Sequence, residues 1–221
     1  MIEFSQVSKT YANGQHALHQ VSFRLPAGRM AFLTGPSGAG KSTLLKMIPQ
    51  IERPTGGKVL INGTDIGRMA SWRIPHLRRR IGLIFQDPNL LDELSVFDNI
   101  ALPLRVQHYP REETARRVRA ALDKVGLLDR EKARPLELSG GEQQRVNIAR
   151  ALVAKPSIIL ADEPTGNLDP ELALDTMRLF TQFNAAGVTM LIATHAIGLI
   201  NQFDIPRLTL RDGMLRMEDG G

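Results

Sequence analysis

Gly35-Pro36-Ser37-Gly38-Ala39-Gly40-Lys41-Ser42 stands between an apolar run, Met30-Ala31-Phe32-Leu33-Thr34, and a helical stretch from Thr43 to Ile48. A continuous apolar run that stops at a glycine-rich loop is the pattern of a buried strand feeding a phosphate-binding loop. Glycines let successive backbone N–H groups converge on phosphate oxygens, and the helix N-terminus behind them adds positive potential. Residues Gly35, Pro36, Ser37, Gly38, Ala39, Gly40, Lys41, Ser42 and Thr43 are therefore candidates for binding a nucleotide. Lys41 would reach the β- and γ-phosphates and assist catalysis, and the Ser42 hydroxyl would bind Mg²⁺. A glycine-rich turn that only caps a helix is the plainer alternative, and the strand before the loop and the helix after it argue against it. Pro49 cannot donate to a helix and pushes Ile48 out of the α region, so the helix should stop or kink there.

The 221 residues suit one α/β domain with a small helical lobe. Cysteine is absent, which excludes disulfides and thiolate metal sites and suits a reducing cytoplasm. Met1-Ile2-Glu3-Phe4 carries an early acid and no apolar segment follows, so no signal peptide is expected. No apolar stretch approaches the ~20 residues of a membrane-spanning helix. The formal charge is +5, yet the basic residues are scattered, and Arg78-Arg79-Arg80 is the longest run. No aromatic residues interleave with them as a nucleic-acid stacking platform requires. A solvated surface with basic spots is the plain reading, weak attraction to an anionic membrane leaflet the second. No nucleic-acid partner is expected.

Along the chain, Ile2 and Phe4 alternate with polar residues, as do Val21, Phe23 and Leu25, and Asn13-Gly14 between them is a hairpin-type turn. From 111 to 125 the period changes: Ala115, Val118, Leu122 and Val125 fall at helical spacing, Pro110 suits the first helical position, and Glu112 and Glu113 sit at the positive end of the dipole. Residues from about 88 to 155 thus read as a helix-rich insertion. The core would be 1–87 plus 156–221, all within one domain, with Ile158–Ala161 and Val188–Ala193 as buried parallel strands.

Ile158-Ile159-Leu160-Ala161 ends in Asp162 and Glu163. Adjacent strand side chains point to opposite sides, so the two acids should divide the work. Asp162 would hold Mg²⁺, and Glu163 would face the attacking water as general base. A strand that simply ends in a polar turn before Pro164 is the alternative, and the phosphate loop upstream weighs against it. Leu138-Ser139-Gly140-Gly141-Glu142-Gln143 opens a helix running to about Val153. Ser139 and Glu142 have capping-box spacing, which explains them but not the glycines. Each glycine costs about 1 kcal/mol in a helix relative to alanine, so a close approach to the backbone is implied, and a phosphate suits that place.

Leu138–Gln143, standing between the phosphate loop and the acidic strand end, resembles the signature motif of the ABC (ATP-binding cassette) family. That resemblance covers essentially the whole chain. It implies a P-loop NTPase (RecA-like) α/β core with an N-terminal antiparallel β subdomain and an inserted α-helical subdomain. It also implies ATP and Mg²⁺ as cofactors and ATP hydrolysis as the activity. Gln86, in Ile84-Phe85-Gln86-Asp87, looks like the Q-loop glutamine, a candidate for catalysis and for Mg²⁺. Asn167-Leu168-Asp169 looks like the D-loop, His195 like the switch histidine, and Tyr11 like the aromatic that stacks on adenine. A lone strand-end histidine or lone tyrosine is ordinarily structural, and the company of the other motifs favours the functional roles. A head-to-tail homodimer follows from the resemblance, with ATP between Gly35–Ser42 of one subunit and Ser139, Gly140 and Gly141 of the other. Ala196 departs from the aspartate usual after the histidine, which bears on the local loop geometry.

Within the family the chain is similar to the ATPases of the bacterial cell-division complex. The stretches Met30–Gly35, Ile51–Pro54, Leu77–Gln86, Val96–Ala101 and Ala161–Asp169 carry the similarity, although the last is shared with lipoprotein-release and macrolide-export ATPases. Arg29 and Pro49-Gln50 depart from the pattern. The similarity implies a membrane partner docking near Gln86 to Leu104, a peripheral place on the cytoplasmic face of the inner membrane, and a cycle that activates cell-wall hydrolases rather than moving a substrate. The competing readings are an exporter or lipoprotein-extracting ATPase, a soluble cassette protein acting on ribosomes or DNA, and a nucleotide kinase. The soluble cassette type usually has tandem motif sets or a coiled-coil insertion, and a kinase leaves the signature and His195 unexplained.

Overall fold

The computed structural model describes residues 1–218. Alternating apolar residues form β1 (Ile2–Thr10) and β2 (His16–Leu25), joined by a turn in which the Tyr11 N–H donates to Gln15 O at 2.9 Å. Phe4 lies opposite Phe23 in this antiparallel pair, and their rings stack at 4.8 Å. Then come β3 (Met30–Thr34), α1 (Lys41–Met47), β4 (Gly56–Ile61), β5 (Thr64–Asp65), α2 (Ile74–Arg78) and β6 (Ile81–Ile84). The helices α3 (Val96–Val106), α4 (Arg111–Lys124) and α5 (Gly140–Leu152) follow, then β7 (Ile158–Asp162), α6 (Pro170–Ala185) and β8 (Thr189–Ala193). The short α7 (Ile197–Ile200), β9 (Arg207–Arg211) and β10 (Met214–Glu218) complete the order.

Two sheets result. One is antiparallel, ordered β2-β1-β4-β5; the other is ordered β10-β9-β3-β8-β7-β6 and is parallel except for β10. The central strands β3, β7 and β8 are apolar on both faces because each face has its own cover. Leu33, Leu160 and Leu191 pack with the antiparallel sheet and α1, whereas Phe32, Ile159 and Ile192 pack with α3–α6. Each such side chain contributes roughly 1.5–3 kcal/mol through burial, so the strand order is held from both sides.

Local expectations hold closely at several ends. The helix after the phosphate loop stops at Met47, as expected, but Pro49 does not push its cap Ile48 out of the α region: Ile48 keeps φ −63° and ψ −45°, and the chain turns away only after it. The Arg78 guanidinium donates to the carbonyls of Pro49 and Gln50 at 2.8 and 3.0 Å. The helix expected over 111–125 is α4, although Pro110 is its N-cap rather than its first helical residue. Between residues 88 and 155 the long elements are α3, α4 and α5. Fully buried Asn99 fastens the loop before α3, taking the Leu91 N–H at 2.8 Å and donating to Leu91 O and Ser95 O at 3.0 Å each. No helix among the described residues is long and apolar enough to cross a membrane.

Candidate nucleotide-binding site

The loop after β3 is wedged against two neighbouring strands, and this decides where glycine is required. Gly35 has φ +143°, and a Cβ there would lie 2.1 Å from Leu210 O; Gly40 has φ +102°, and its Cβ would lie 2.5 Å from Ala17 O. No other residue fits either place. Gly40 caps α1 with no side chain over the N–H groups and no acid in the first turn, so those donors stay available to an anion. Lys41 is buried, and its ammonium donates to Gly35 O at 2.7 Å and Pro36 O at 3.1 Å. Of its three donor hydrogens one is left over. Across the loop mouth the Tyr11 hydroxyl meets Thr43 Oγ1 at 3.0 Å, and Lys9 Nζ stands 4.9 Å from the Tyr11 ring centre.

The opposite wall comes from the C-terminal ends of β6, β7 and β8, the side on which open α/β sheets hold ligands. Gln86 follows β6, Asp162 ends β7, and His195 lies two residues beyond β8. One cavity of about 480 Å³ is lined by Tyr11, Ser37, Gly38, Gly40, Lys41, Ser42, Thr43, Gln86, Asp162, Glu163 and His195, together with Gln15 and Ala17. Gly35, Pro36 and Ala39 shape the loop from behind; Ala39 is buried in the core beside the antiparallel sheet.

The alternation argument for the two acids fails. Glu163 has left the strand, with φ +49°, and so its side chain turns into the same cavity as Asp162. Its N–H still donates to Ala193 O at 2.9 Å, which anchors the turn. The Glu163 carboxylate meets His195 Nδ1 at 2.8 Å and accepts the His195 N–H at 3.3 Å. Ala196 does not unseat the histidine, because the Thr194 hydroxyl accepts the Ala196 N–H at 3.1 Å.

Ser139, Gly140, Gly141 and Asp169 are not among the residues lining this cavity. The capping box forms as the spacing predicts: Ser139 Oγ accepts the Glu142 N–H at 3.3 Å, and Glu142 accepts the Ser139 N–H at 2.8 Å. The Ser139 N–H first, and then the Ser139 hydroxyl, which also donates to the Glu142 carboxylate at 2.8 Å, hold that carboxyl below its ordinary value. Gly140 faces open space, and Gly141 lies beside Asn167 and Leu168. The Asp169 carboxylate caps α6, accepting from the N–H groups of Glu171 and Leu172.

Three inward polar residues on α5 were not foreseen from the sequence. Gln144 and Asn147 are fully buried; Gln144 donates to Pro164 O at 3.1 Å and Asn147 to Phe85 O at 3.0 Å. Arg150 donates to Pro88 O and Asn89 O. One helix thus grips the loop carrying Gln86 and the turn after Glu163. Their three-residue spacing was the available signal.

A family model described as ABC transporter matches residues 18–166. The chain belongs to the ABC transporter family. This cassette is an ATP-binding ATPase, and it is 56% identical over 97% of both chains to the cell division ATP-binding protein FtsE of Escherichia coli (strain K12). It is 42% identical to the protein of that name from Bacillus subtilis (strain 168), over 97% of this chain and 94% of that one. The cassette superposes on the dimeric post-hydrolysis structure of the ATP-binding cassette MJ0796 bound to ADP and Pi with a TM-score of 0.94. Sequence identity there is 35%, over 100% of this chain and 99% of that one. The α/β core with its antiparallel N-terminal sheet is therefore the fold expected from the sequence.

Proposed function

We propose that this ABC ATPase is the nucleotide-hydrolysing half of a cell-division complex of the FtsE type, working on the cytoplasmic face of the membrane through an FtsX-like membrane partner. The observation that carries the catalytic part is the convergence of Lys41, Ser42, Gln86, Asp162, Glu163 and His195 on one cavity. The relatives named FtsE carry the cellular part.

The free α1 N–H groups and Lys41 hold the β- and γ-phosphates, and Tyr11 offers its ring to the base. Glu163 takes a proton from water as the water oxygen bonds to the γ-phosphorus and the bond to the β-phosphate oxygen breaks, releasing ADP and phosphate. His195 fixes the carboxylate's direction from 2.8 Å. Ser42, Gln86 and Asp162 suit Mg²⁺. They supply a hydroxyl, an amide oxygen and one carboxylate, and among the described residues no cluster of three His, Cys, Asp or Glu forms a closed metal cage. That donor set fits an ion that completes its shell with phosphate oxygens and water. Bound there, Mg²⁺ would neutralise charge on the phosphates.

Residues of about 88–155 act as a helical lobe whose exposed end, Ser139–Gly141, meets the γ-phosphate held by a second subunit in a head-to-tail homodimer. The membrane partner's coupling segment enters a groove lined by Leu83, Phe85, Leu102, Pro103 and Val106, within reach of the Gln86–Leu104 stretch. Size-exclusion chromatography with Mg-ATP tests the catalytic assignment. Glu163→Gln should hold ATP and accumulate as the closed dimer, losing about 10²–10⁴ in turnover; Asp162→Asn should lose Mg²⁺-dependent tight binding. Two variants behaving alike would refute that division. Co-purification from native membranes with a four-span protein tests the partner.

A further inference from the structure

We infer that the surface around Trp72 is a docking face for an anionic lipid leaflet. Trp72 is 71% exposed, an unusual place for the chain's single tryptophan. It sits on the 3₁₀ turn Ser71–Arg73 just before α2, and the Arg73 guanidinium lies 5.3 Å from the centre of its ring. Met69, His76 and Arg80 line the same hollow as Trp72 and Arg73. From Asp65 to Asp87 the chain has no acid between, yet it places Arg68, Arg73, Arg78, Arg79 and Arg80 there. Arg78 is tied to the carbonyls of Pro49 and Gln50, Arg68 pairs with Asp65 at 3.6 Å and Arg79 lies on the other side of α2, so Arg73 and Arg80 supply the outward charge of this face.

Charge and chemistry favour a lipid surface over other polyanions. A tryptophan is stable at headgroup depth with its ring in the acyl boundary, and long arginine stems lie along apolar matter while their heads reach phosphates. Nucleic acid without defined structure is gripped by successive aromatic faces, and Trp72 is the only Phe, Tyr or Trp from residue 66 to 84. Position agrees. Helix α2 separates this hollow from the partner groove: Arg73, His76 and Arg80 line the hollow, and Pro75, Arg78 and Arg79 line the groove. The inference rests on the reading of that groove as the seat of a membrane protein's coupling segment, because the partner would then present α2 to the bilayer.

The lone tryptophan makes the test direct, since all indole emission comes from the patch. The purified chain, with no partner present, is mixed with phosphatidylethanolamine vesicles containing phosphatidylglycerol, or with pure phosphatidylcholine vesicles. A blue shift and co-flotation are expected with the anionic vesicles only, and both should be reversed at salt near 1 M, where the screening length falls to about 3 Å. Arg73→Gln with Arg80→Gln should weaken partitioning roughly 30-fold, about fivefold for each cation, while ATP turnover in solution stays unchanged. Equal binding to both vesicle types would overturn the inference, as would a shift produced by single-stranded RNA or polyglutamate but not by vesicles. Vesicle binding that persists while no membrane protein co-purifies would instead count against the partner assignment.

Discussion

Two helix N-termini carry glycines in this molecule, and they are built oppositely. At α1 the donors are bare: the cap is Gly40, no side chain covers the N–H groups, and no acid stands in the first turn. At α5 the Ser139 hydroxyl and the Glu142 carboxylate occupy the end, which places a negative charge where an incoming phosphate would meet it. The first end lies inside a walled cavity beside a buried lysine; the second is exposed. A bare, walled terminus holds an anion unaided. A capped, open one is stable without a ligand and gains from a phosphate only when something else delivers it. The difference suits the proposed roles, binding at α1 and recognition of an already bound nucleotide at α5.

That contrast can be broken most forcefully at Lys41. Lys41→Ala should cut hydrolysis by about 10³-fold or more and weaken ATP binding, with the fold intact by circular dichroism; unchanged turnover would remove α1 as the anchor. Gly141→Asp is the matching test at α5. An acid in the first turn suits the helix itself, and a Cβ at Gly141 would be in ordinary contact, 3.4 Å from Asn167 O. The variant should therefore fold and bind ATP nearly as before, yet fail to dimerise and lose on the order of 10²-fold in turnover. Mixing it with Lys41→Ala sharpens the comparison, because one composite site of a head-to-tail heterodimer would carry neither lesion. Some hydrolysis should return; a mixture as dead as its parents, with heterodimers demonstrated, would sink the trans assignment.

Smaller effects follow from the cap. Ser139→Ala should cost about 1 kcal/mol, seen as a melting temperature lower by about 2–4 °C, whereas α1 has no equivalent side chain to lose. The depressed Glu142 carboxyl adds a pH signature. Its folded pKa lies below the ordinary 4.5, so its contribution is full above that value and is lost as pH falls through the folded value. Glu142→Gln should lower stability slightly at pH 7 and flatten the acid side of the melting curve; a steeper acid side would contradict the bond's sign.

Legibility in the sequence followed locality. The loop after β3, the stop before Pro49 and the capping box were readable because their causes lie within a few residues of one another. Gln15 and Ala17 were not, since they reach the cavity only because β2 lies against Gly40, a contact no spacing announces. The direction of Glu163 escapes the alternation rule for a related reason: alternation ends with the strand at Asp162, and the backbone turns left-handed at the very next residue. Asp169-Pro170 is also an ordinary helix start, and the D-loop resemblance at Asp169 masks the opening of α6. Gln144 and Asn147 look like surface residues by type, and only the packing of α5 against two loops explains their full burial.

The left-handed backbone at Glu163 sets chemistry against durability at a single position. A residue with a Cβ pays roughly 1–2 kcal/mol there, and part of the return is the carboxylate's hold on His195. The usual ranking of alanine above glycine should consequently invert: Glu163→Gly would outlast Glu163→Ala on heating, though both would lack the proposed general base. Selection for thermal robustness alone would erode this residue, so its persistence in a lineage would measure demand for turnover rather than for a stable fold.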